Sequence, residues 1–503
     1  MSCSIWTPVG GIAARFSKSY LGKIFLLTAS RRPPSLVAMS YQTSPFSKST
    51  GTGKLGQSSG ASLALFAGIF IACTFAVRGE DSIPEEPLPS SSDNAEAQTD
   101  AAPLQPATSL GGLDSRNLTL GGETVSPKEL PAAEPRRFHY SFALTVRAVY
   151  DDNIFLTNTN KVDDWYFAIE PRLTVGFGDM EGRNENYVRL DYMPSIILYA
   201  DHSNENAVSH LIELEGQYRF SRLTLNLFQG VYILDGTNIN SIVDTTGLFA
   251  NLDTSTFTRL NLFTTRLRAN YELTAKLFLT GEVDAWVYDY PDPGFISSEM
   301  ISGGLYINYV VTPKLTIGAG GTFGYNWVDN PSTDQTFEQA NFRLNYQVTG
   351  KLGLSASAGV EIRQFDDQRG DYVSPVFELG GIYQPFDGTT ITLAAGRRAL
   401  NSGVFEDQDF WTTYIVGRFQ QRLFRRVYFG LAGGYENSDY FATTSGVNAP
   451  RNDDYFFISP SIDVLITRWV SVGAYYLHRE DNSNIDFFSF DNNQVGLRAT
   501  FRF

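Results

Sequence analysis

From residue 138 to the end of the chain, apolar and polar positions alternate with a period of two. Phe138, Tyr140, Phe142, Leu144, Val146, Ala148 and Tyr150 share one parity, and His139, Ser141, Thr145 and Arg147 the other. The next run sets Trp165, Phe167, Ile169, Leu173, Val175 and Phe177 against Tyr166, Glu170, Arg172 and Thr174. The last sets Val495, Leu497, Ala499, Phe501 and Phe503 against Gln494, Gly496, Arg498, Thr500 and Arg502. Side chains of a strand point alternately to its two faces, so each run predicts a strand with one greasy and one polar face. A soluble sandwich also alternates, but its strands average about 5–6 residues. These runs cover roughly 10–14 residues, enough to cross a membrane at barrel tilt.

Short and long connections take turns. Three tight turns repeat one pattern: Leu273-Thr-Ala-Lys276-Leu, Val311-Thr-Pro-Lys314-Leu and Val348-Thr-Gly-Lys351-Leu. Ser221-Arg222 and Thr467-Arg468 are shorter versions. The long connections are polar and rich in Asp and Asn, near 151–164, 200–208, 235–257, 289–299, 327–338, 364–371, 398–410, 436–455 and 479–490. Segments between them give about 18 strands, with 16 as the alternative because 389–397 and 426–435 are weakly apolar. The predicted fold is all-β: a transmembrane antiparallel up-and-down barrel preceded by a disordered linker. An even strand number places both barrel ends on one side, and the long loops on the other.

Composition adds two segments ahead of residue 137. Residues 1–79 hold no Asp or Glu but carry Arg15, Lys18, Lys23, Arg31, Arg32, Lys48 and Lys54, and the apolar run 61–77 lies among them. Basic residues leading into such a run predict an export signal, with Met39 as an alternative start and an uncleaved anchor or lipidation of Cys73 as alternative fates. Residues 80–136 are acidic and rich in Pro, Ser and Ala, a composition that buries too little apolar surface to offset its ordering entropy. They are expected to form a disordered periplasmic linker, and 137–503 an outer-membrane barrel of a diderm bacterium. The net charge of −15 offers no basic groove for nucleic acid. Cys3 and Cys73 make no disulfide framework, and His139, His202, His210 and His478 lack zinc-ligand spacing.

On the polar parity, both charge signs recur. Arg147, Glu170, Arg172, Arg189, Asp191, Glu213, Glu215, Arg266, Arg268, Glu282, Asp284, Arg343, Arg363, Glu378 and Arg418 are the lumen-lining candidates, joined by Arg219, Glu272, Glu361, Asp463, Arg498 and Arg502. An Arg or Lys facing lipid at the bilayer midplane costs about 2–4 kcal/mol, so these groups must face water or one another. A polar conduit and an ion-paired wall filling are the two readings. The loop 235–257 carries Ile239, Ile242, Val243, Leu248 and Phe249, which either fold inward to narrow the pore or pack on the outer rim or against a neighbouring barrel. Tyr150, Trp165, Tyr199, Trp286, Trp327 and Trp411 are expected as interface anchors at the loop ends. Tyr218, Phe220, Tyr271, Tyr309, Tyr346, Trp469 and Phe503 are expected at the turn ends.

Neither Asp201-His202 nor His478 has a recognisable nucleophile partner in sequence, so no enzyme is expected. The acidic pairs Asp151-Asp152, Asp163-Asp164, Asp366-Asp367 and Asp453-Asp454 read as solvated turn residues, with Ca²⁺ or lipopolysaccharide bridging as the alternative. No cofactor or metal is expected. The partners expected are outer-membrane lipid, lipopolysaccharide and a hydrophilic solute, with the oligomeric state left open.

Two resemblances sharpen this. The C-terminal run with Val495, Leu497, Phe501 and Phe503 resembles the terminal signal of outer-membrane barrels, which implies recognition by the barrel-assembly machinery. The opening Val149-Tyr-Asp-Asp-Asn-Ile-Phe155, then Asp163-Asp-Trp165 and Ile169-Glu-Pro-Arg-Leu173, resembles the "putative β-barrel porin 2" family. That resemblance covers 138–503 and carries no catalytic residues. It implies a channel for small hydrophilic or saccharide solutes, or else a non-conducting barrel that serves exopolysaccharide export as a binding or assembly partner. The acidic linker is not a feature associated with the family.

Overall fold

A computed structural model describes residues 138–178, 186–237, 253–254, 258–365 and 370–503. The export region, the linker and the five apolar residues of the 235–257 loop lie outside them. Eighteen strands form one antiparallel sheet. They are β1 (Phe138–Asp151), β2 (Asp164–Gly178), β3 (Tyr187–Tyr199), β4 (Ala207–Arg219), β5 (Leu223–Asp235) and β6 (Arg259–Glu272). Then come β7 (Leu277–Asp289), β8 (Ser298–Thr312), β9 (Leu315–Val328), β10 (Gln335–Thr349), β11 (Leu352–Phe365) and β12 (Tyr372–Tyr383). The ring is completed by β13 (Thr389–Asn401), β14 (Gln408–Leu423), β15 (Val427–Ala442), β16 (Asn452–Thr467), β17 (Val470–Ser483) and β18 (Phe490–Arg502).

Each strand pairs with its sequence neighbours, and β1 pairs with β18 from Ala143↔Arg502 to Asp151↔Gln494, which closes the barrel. Closure removes every free edge of an ideal ring, the condition for a sheet to stand in lipid. Parity then sorts the side chains. Phe167, Leu305, Phe323, Val495, Leu497, Phe501 and Phe503 are among the large apolar residues exposed on the outer face. Residues of the other parity face inward and are mostly buried or half-buried.

The repeated turn has a local cause. The hydroxyl of Thr274 accepts the amides of Lys276 (3.2 Å) and Leu277 (3.0 Å). Thr312 and Thr349 accept those of Lys314 (3.3 Å) and Lys351 (3.1 Å) in the same way. Thr467 does so for Trp469 (3.2 Å) and Val470 (3.1 Å). A threonine that opens a turn satisfies amides that no ladder reaches. Glycine has a second use on the inner wall, where a Cβ on Gly324 would stand 2.2 Å from the Phe337 ring and one on Gly496 2.3 Å from that of Tyr475. These glycines let inward aromatics lie flat across the neighbouring strand.

Two expectations need correction. Several strands run further toward the loop side than the apolar pattern reaches: β13 to Asn401, β15 to Ala442 and β17 to Ser483. Above the lipid both faces of a strand meet water or protein, so alternation no longer marks it. The anchors also divide. Trp165 (50% exposed) and Trp327 (46%) stand outward, whereas Tyr199 (5%) and Trp411 (1%) are buried, and Trp286 has inward parity under Arg398. The turn-end anchors Tyr218, Phe220, Tyr271, Tyr309, Tyr346, Trp469 and Phe503 are all exposed.

Candidate functional site: the inner wall and the mouth

The inward charges are held by neighbouring strands. Across β1–β2, Arg147 Nε donates to Glu170 Oε2 (3.0 Å) and its Nη1 to the Tyr475 hydroxyl (3.1 Å). Across the closing seam Arg147 stands in register with Arg498, which donates to Asp463 (2.8 Å). On β3, Asp191 takes Arg189 (2.6 Å) and Arg172 (3.4 Å). Glu213 accepts from Tyr232 (2.9 Å) and Glu215 from Tyr187 (2.6 Å).

The densest group spans β6, β7 and β10. Arg266 donates to Asp284 (3.1 Å) and Arg268 to Glu282 (3.0 Å). Arg343 reaches the same Glu282 (2.7 Å) from three strands away, across β8 and β9. Its guanidinium crosses the Tyr306 ring at 3.3 Å from the centroid. Glu378 on β12 sits in the field of Arg266, Arg398, Arg343 and Arg268. Further up, Arg363 pairs with Glu361 (2.7 Å) and Asp409 (3.4 Å). Arg418 is half-buried on the inner face of β14, in register with Ala432. Both signs therefore occur on the inner wall, and most sit in pairs whose desolvation cost is offset by each other.

The mouth is shaped by a feature that the sequence pattern did not suggest. β12 and β13 are in register only from Phe377↔Arg397 to Tyr383↔Ile391. Above that, residues of outward parity on β13–β15 touch inward residues of β9–β12. Trp411 and Phe441 cluster with Phe365 and Val376, and Tyr372 stacks on Phe441 with centroids 4.7 Å apart. Asp409 accepts from Arg363 and Gln335, and Asn401 bonds to Asn326. The upper ends of β13–β15 thus curl away from the wall and lie inside the β9–β12 face. Their loop reaches further, with Ile296 N donating to Gly403 O (2.8 Å) and Thr333 N to Asp407 (3.1 Å).

Asp253, between β5 and β6 in the chain, completes the constriction. Asp253 is buried, and its carboxylate accepts from Ser402 Oγ (3.1 Å), Gly403 N (2.5 Å) and the Tyr440 hydroxyl (2.7 Å). Arg451 donates to the Asp253 carbonyl (2.8 Å) and lies 3.6 Å from its carboxylate. The guanidinium also covers the Phe488 ring at 3.6 Å. In the strand order, the β13–β14 and β15–β16 loops stand opposite the β5–β6 loop. The contact therefore bridges the mouth. Burial pushes the Asp253 carboxyl above the ordinary carboxylate range, against the Arg451 charge and the hydrogen bonds from Tyr440, Gly403 and Ser402.

Some acidic pairs are not the solvated turn residues the sequence suggested. Asp151 accepts from Asn153 N, Asn492 and Gln494, and Asp152 from Asn493, which ties the first loop to the last. Asp164 accepts from the amides of Asp201 and His202 and contacts His202 Nδ1 at 2.9 Å. Asp453 holds Arg451, and Asp366-Asp367 fall outside the described residues. No group of three or more metal-ligating side chains occurs among the described residues.

Residues 338–503 match the model of the family described as "Putative beta-barrel porin 2", so the barrel is porin-like. No curated protein matches the chain. Three solved structures are similar. Pseudomonas aeruginosa OpdK, crystallised with vanillate, is 12% identical with a TM-score of 0.36, over 72% of this chain and 99% of its own. Acinetobacter baumannii OccAB3 is 12% identical (TM-score 0.37; 72% and 99%). P. aeruginosa OccK2 (OpdF), in complex with glucuronate, is 11% identical (TM-score 0.37; 72% and 98%). Likeness at this level carries no argument about solute.

Proposed function

We propose that this porin-like barrel stands in the outer membrane of a diderm bacterium and conducts small hydrophilic solutes, saccharides among them, past a charged inner wall and a narrowed mouth. The observation that carries the reading is the closed ring of eighteen strands, apolar outside and ion-paired inside. A ring of this size encloses water rather than a packed core. The bridged mouth supports a selective conduit rather than a wide pore. The barrel acts without catalysis. His202 serves a rim contact with Asp164, and His478 meets Asn493 (2.9 Å) on the outer face. The exposed Val495, Leu497, Phe501 and Phe503 of the closing strand form the signal for assembly.

The second reading, a non-conducting partner in exopolysaccharide export, draws on the same bridged mouth. Single-channel recording of the refolded full chain in a planar bilayer separates the two. Stable open steps that an oligosaccharide blocks are expected. Silence from a correctly folded, heat-modifiable barrel overturns the conduit in favour of the second reading.

A further inference from the structure

The curl of β13–β15 leaves a notch on the outer surface of the barrel. Residues Tyr372–Val376 of β12 pair with β11 alone, and residues Arg398–Asn401 of β13 pair with β14 alone. An unpaired strand edge is costly in hydrocarbon, because no water satisfies its amides and carbonyls. Pro375 sits in this stretch, at the edge position where a sheet tolerates proline. Beside it Val373 is 62% exposed.

Arg397 occupies the point where the two sheets part. It is the last β13 residue in register with β12, and it has outward parity. Its Nη1 donates to Thr413 Oγ1 (2.7 Å), and its guanidinium carbon lies 5.1 Å from the Trp411 ring centroid. Its Nε is buried without a hydrogen-bond partner, and no carboxylate pairs with it among the described residues. This sets it apart from the inward arginines 147, 268, 343, 363 and 498, each of which meets an acid. Exposed apolar residues just below Arg397 on the adjoining strands set it toward the headgroup side of the membrane placement proposed above. One row below, Leu379 and Ile415 are exposed and apolar, and Tyr435 reaches up to Asp454. Arg397's own row continues through Thr413, Asn437 and Asp454.

From these observations we infer that the β12–β13 notch binds a phosphate-bearing lipid of the outer leaflet. Arg397 takes the phosphate, and the exposed apolar surface below it, at Leu379 and Ile415, takes the acyl chain. The inference rests on the membrane placement proposed above and is independent of conduction. A guanidinium fork with unused donors matches phosphate oxygens, and charge-assisted bonds in a half-buried site are the strong class.

Native mass spectrometry of the full-length barrel in detergent, with lipid A as the probe, tests this. Preferential retention of lipid A over phosphatidylcholine is expected, with about a tenfold loss of affinity in Arg397→Gln, the change one charge-assisted contact supplies. Arg425→Gln, at an exposed turn on the opposite end, is expected to bind as the parent does. Equal retention by folded Arg397→Gln overturns the proposal. So does displacement of lipid A by millimolar inorganic phosphate, which marks a free-anion site. Should Arg397→Gln fail to form a barrel, a photoactivatable lipid A on the parent chain decides. Cross-links are expected in 372–377 and 397–413, and cross-links confined to other strands overturn the proposal. Absence of the barrel from outer membranes removes the placement itself, an outcome separate from either binding result.

Discussion

Asp253→Ala isolates the mouth contact from the rest of the barrel. The carboxylate accepts three kinds of donor, at 3.1 Å from Ser402, 2.5 Å from Gly403 and 2.7 Å from Tyr440. A hydrogen bond to a charged acceptor contributes about 1.5–3 kcal/mol net, but burying the carboxylate offsets part of that sum. Arg451 is not orphaned by the change. It keeps Asp453 (2.8 Å) and the carbonyl of residue 253 (2.8 Å). A net loss of about 2–4 kcal/mol follows, which moves a docked–undocked equilibrium by roughly thirtyfold to several hundredfold. In single-channel recordings the variant is expected to dwell mainly in a higher-conductance state that the parent visits rarely. Asp253→Asn keeps an acceptor and is expected to fall between. A folded Ala variant with the parent's conductance and dwell times refutes the bridge as the limiting constriction.

Three further outcomes follow from other contacts. Because burial raises the Asp253 carboxyl, proton uptake adds to docking below the ordinary carboxylate pKa of about 3.9, and this added part is lost as pH rises through the raised value, leaving the hydrogen bonds that the carboxylate accepts. Open-state occupancy is therefore expected to fall on acidification, and to lose much of that dependence in Asp253→Asn; Arg451, beside it, stays charged throughout. Glu282→Gln leaves Arg268, which is 4% exposed, without its carboxylate, and a loss of about 3–5 kcal/mol in urea unfolding is expected. Gly496→Ala sets a Cβ 2.3 Å from the Tyr475 ring beside the closing seam, with a cost of about 1–3 kcal/mol read as a smaller heat-modifiable fraction.

The strand count, the turns and the inward parity of charges were legible because lipid imposes them. A strand that crosses hydrocarbon must be apolar on one face, so Leu305 or Phe323 cannot be exchanged for a charge without cost. That constraint ends at the headgroups. Beyond them Glu436, Asp439 and Asp481 continue strands that hydropathy reads as loop. Trp286 and Trp411 lie near strand ends in sequence, which suits an interface anchor equally well as an inward aromatic. Trp286 is distinguished by parity on β7. Trp411 is not, because its outward parity is overruled by a bend of the whole hairpin. Asp253 carried no signal at all, since a lone acid in a polar loop is the commonest surface residue.

The curl follows from what is left of the hydrophobic effect above the membrane. On β14 and β15, Trp411 and Phe441 have outward parity, but at their height no acyl chain covers them. Exposed, they forfeit about 25 cal/mol for each Å² of apolar surface, and rings of this size carry roughly 150–250 Å² each. Folding the hairpins inward places both against Phe365, Tyr372 and Val376. The gain, several kcal/mol, exceeds what is lost by leaving a short edge of β12 unpaired in the headgroup zone. Trp411→Ala tests the argument, because it removes the larger ring from a fully buried site at a cost of about 3–5 kcal/mol. The strands below the curl are held by other contacts, so the barrel is expected to remain heat-modifiable. Protease cleavage in 402–407 is expected to rise at least a hundredfold as the hairpin samples an open state. Unchanged cleavage in a folded variant means that the loop contacts at Gly403 and Asp407, rather than the aromatic cluster, hold the hairpin inside the mouth.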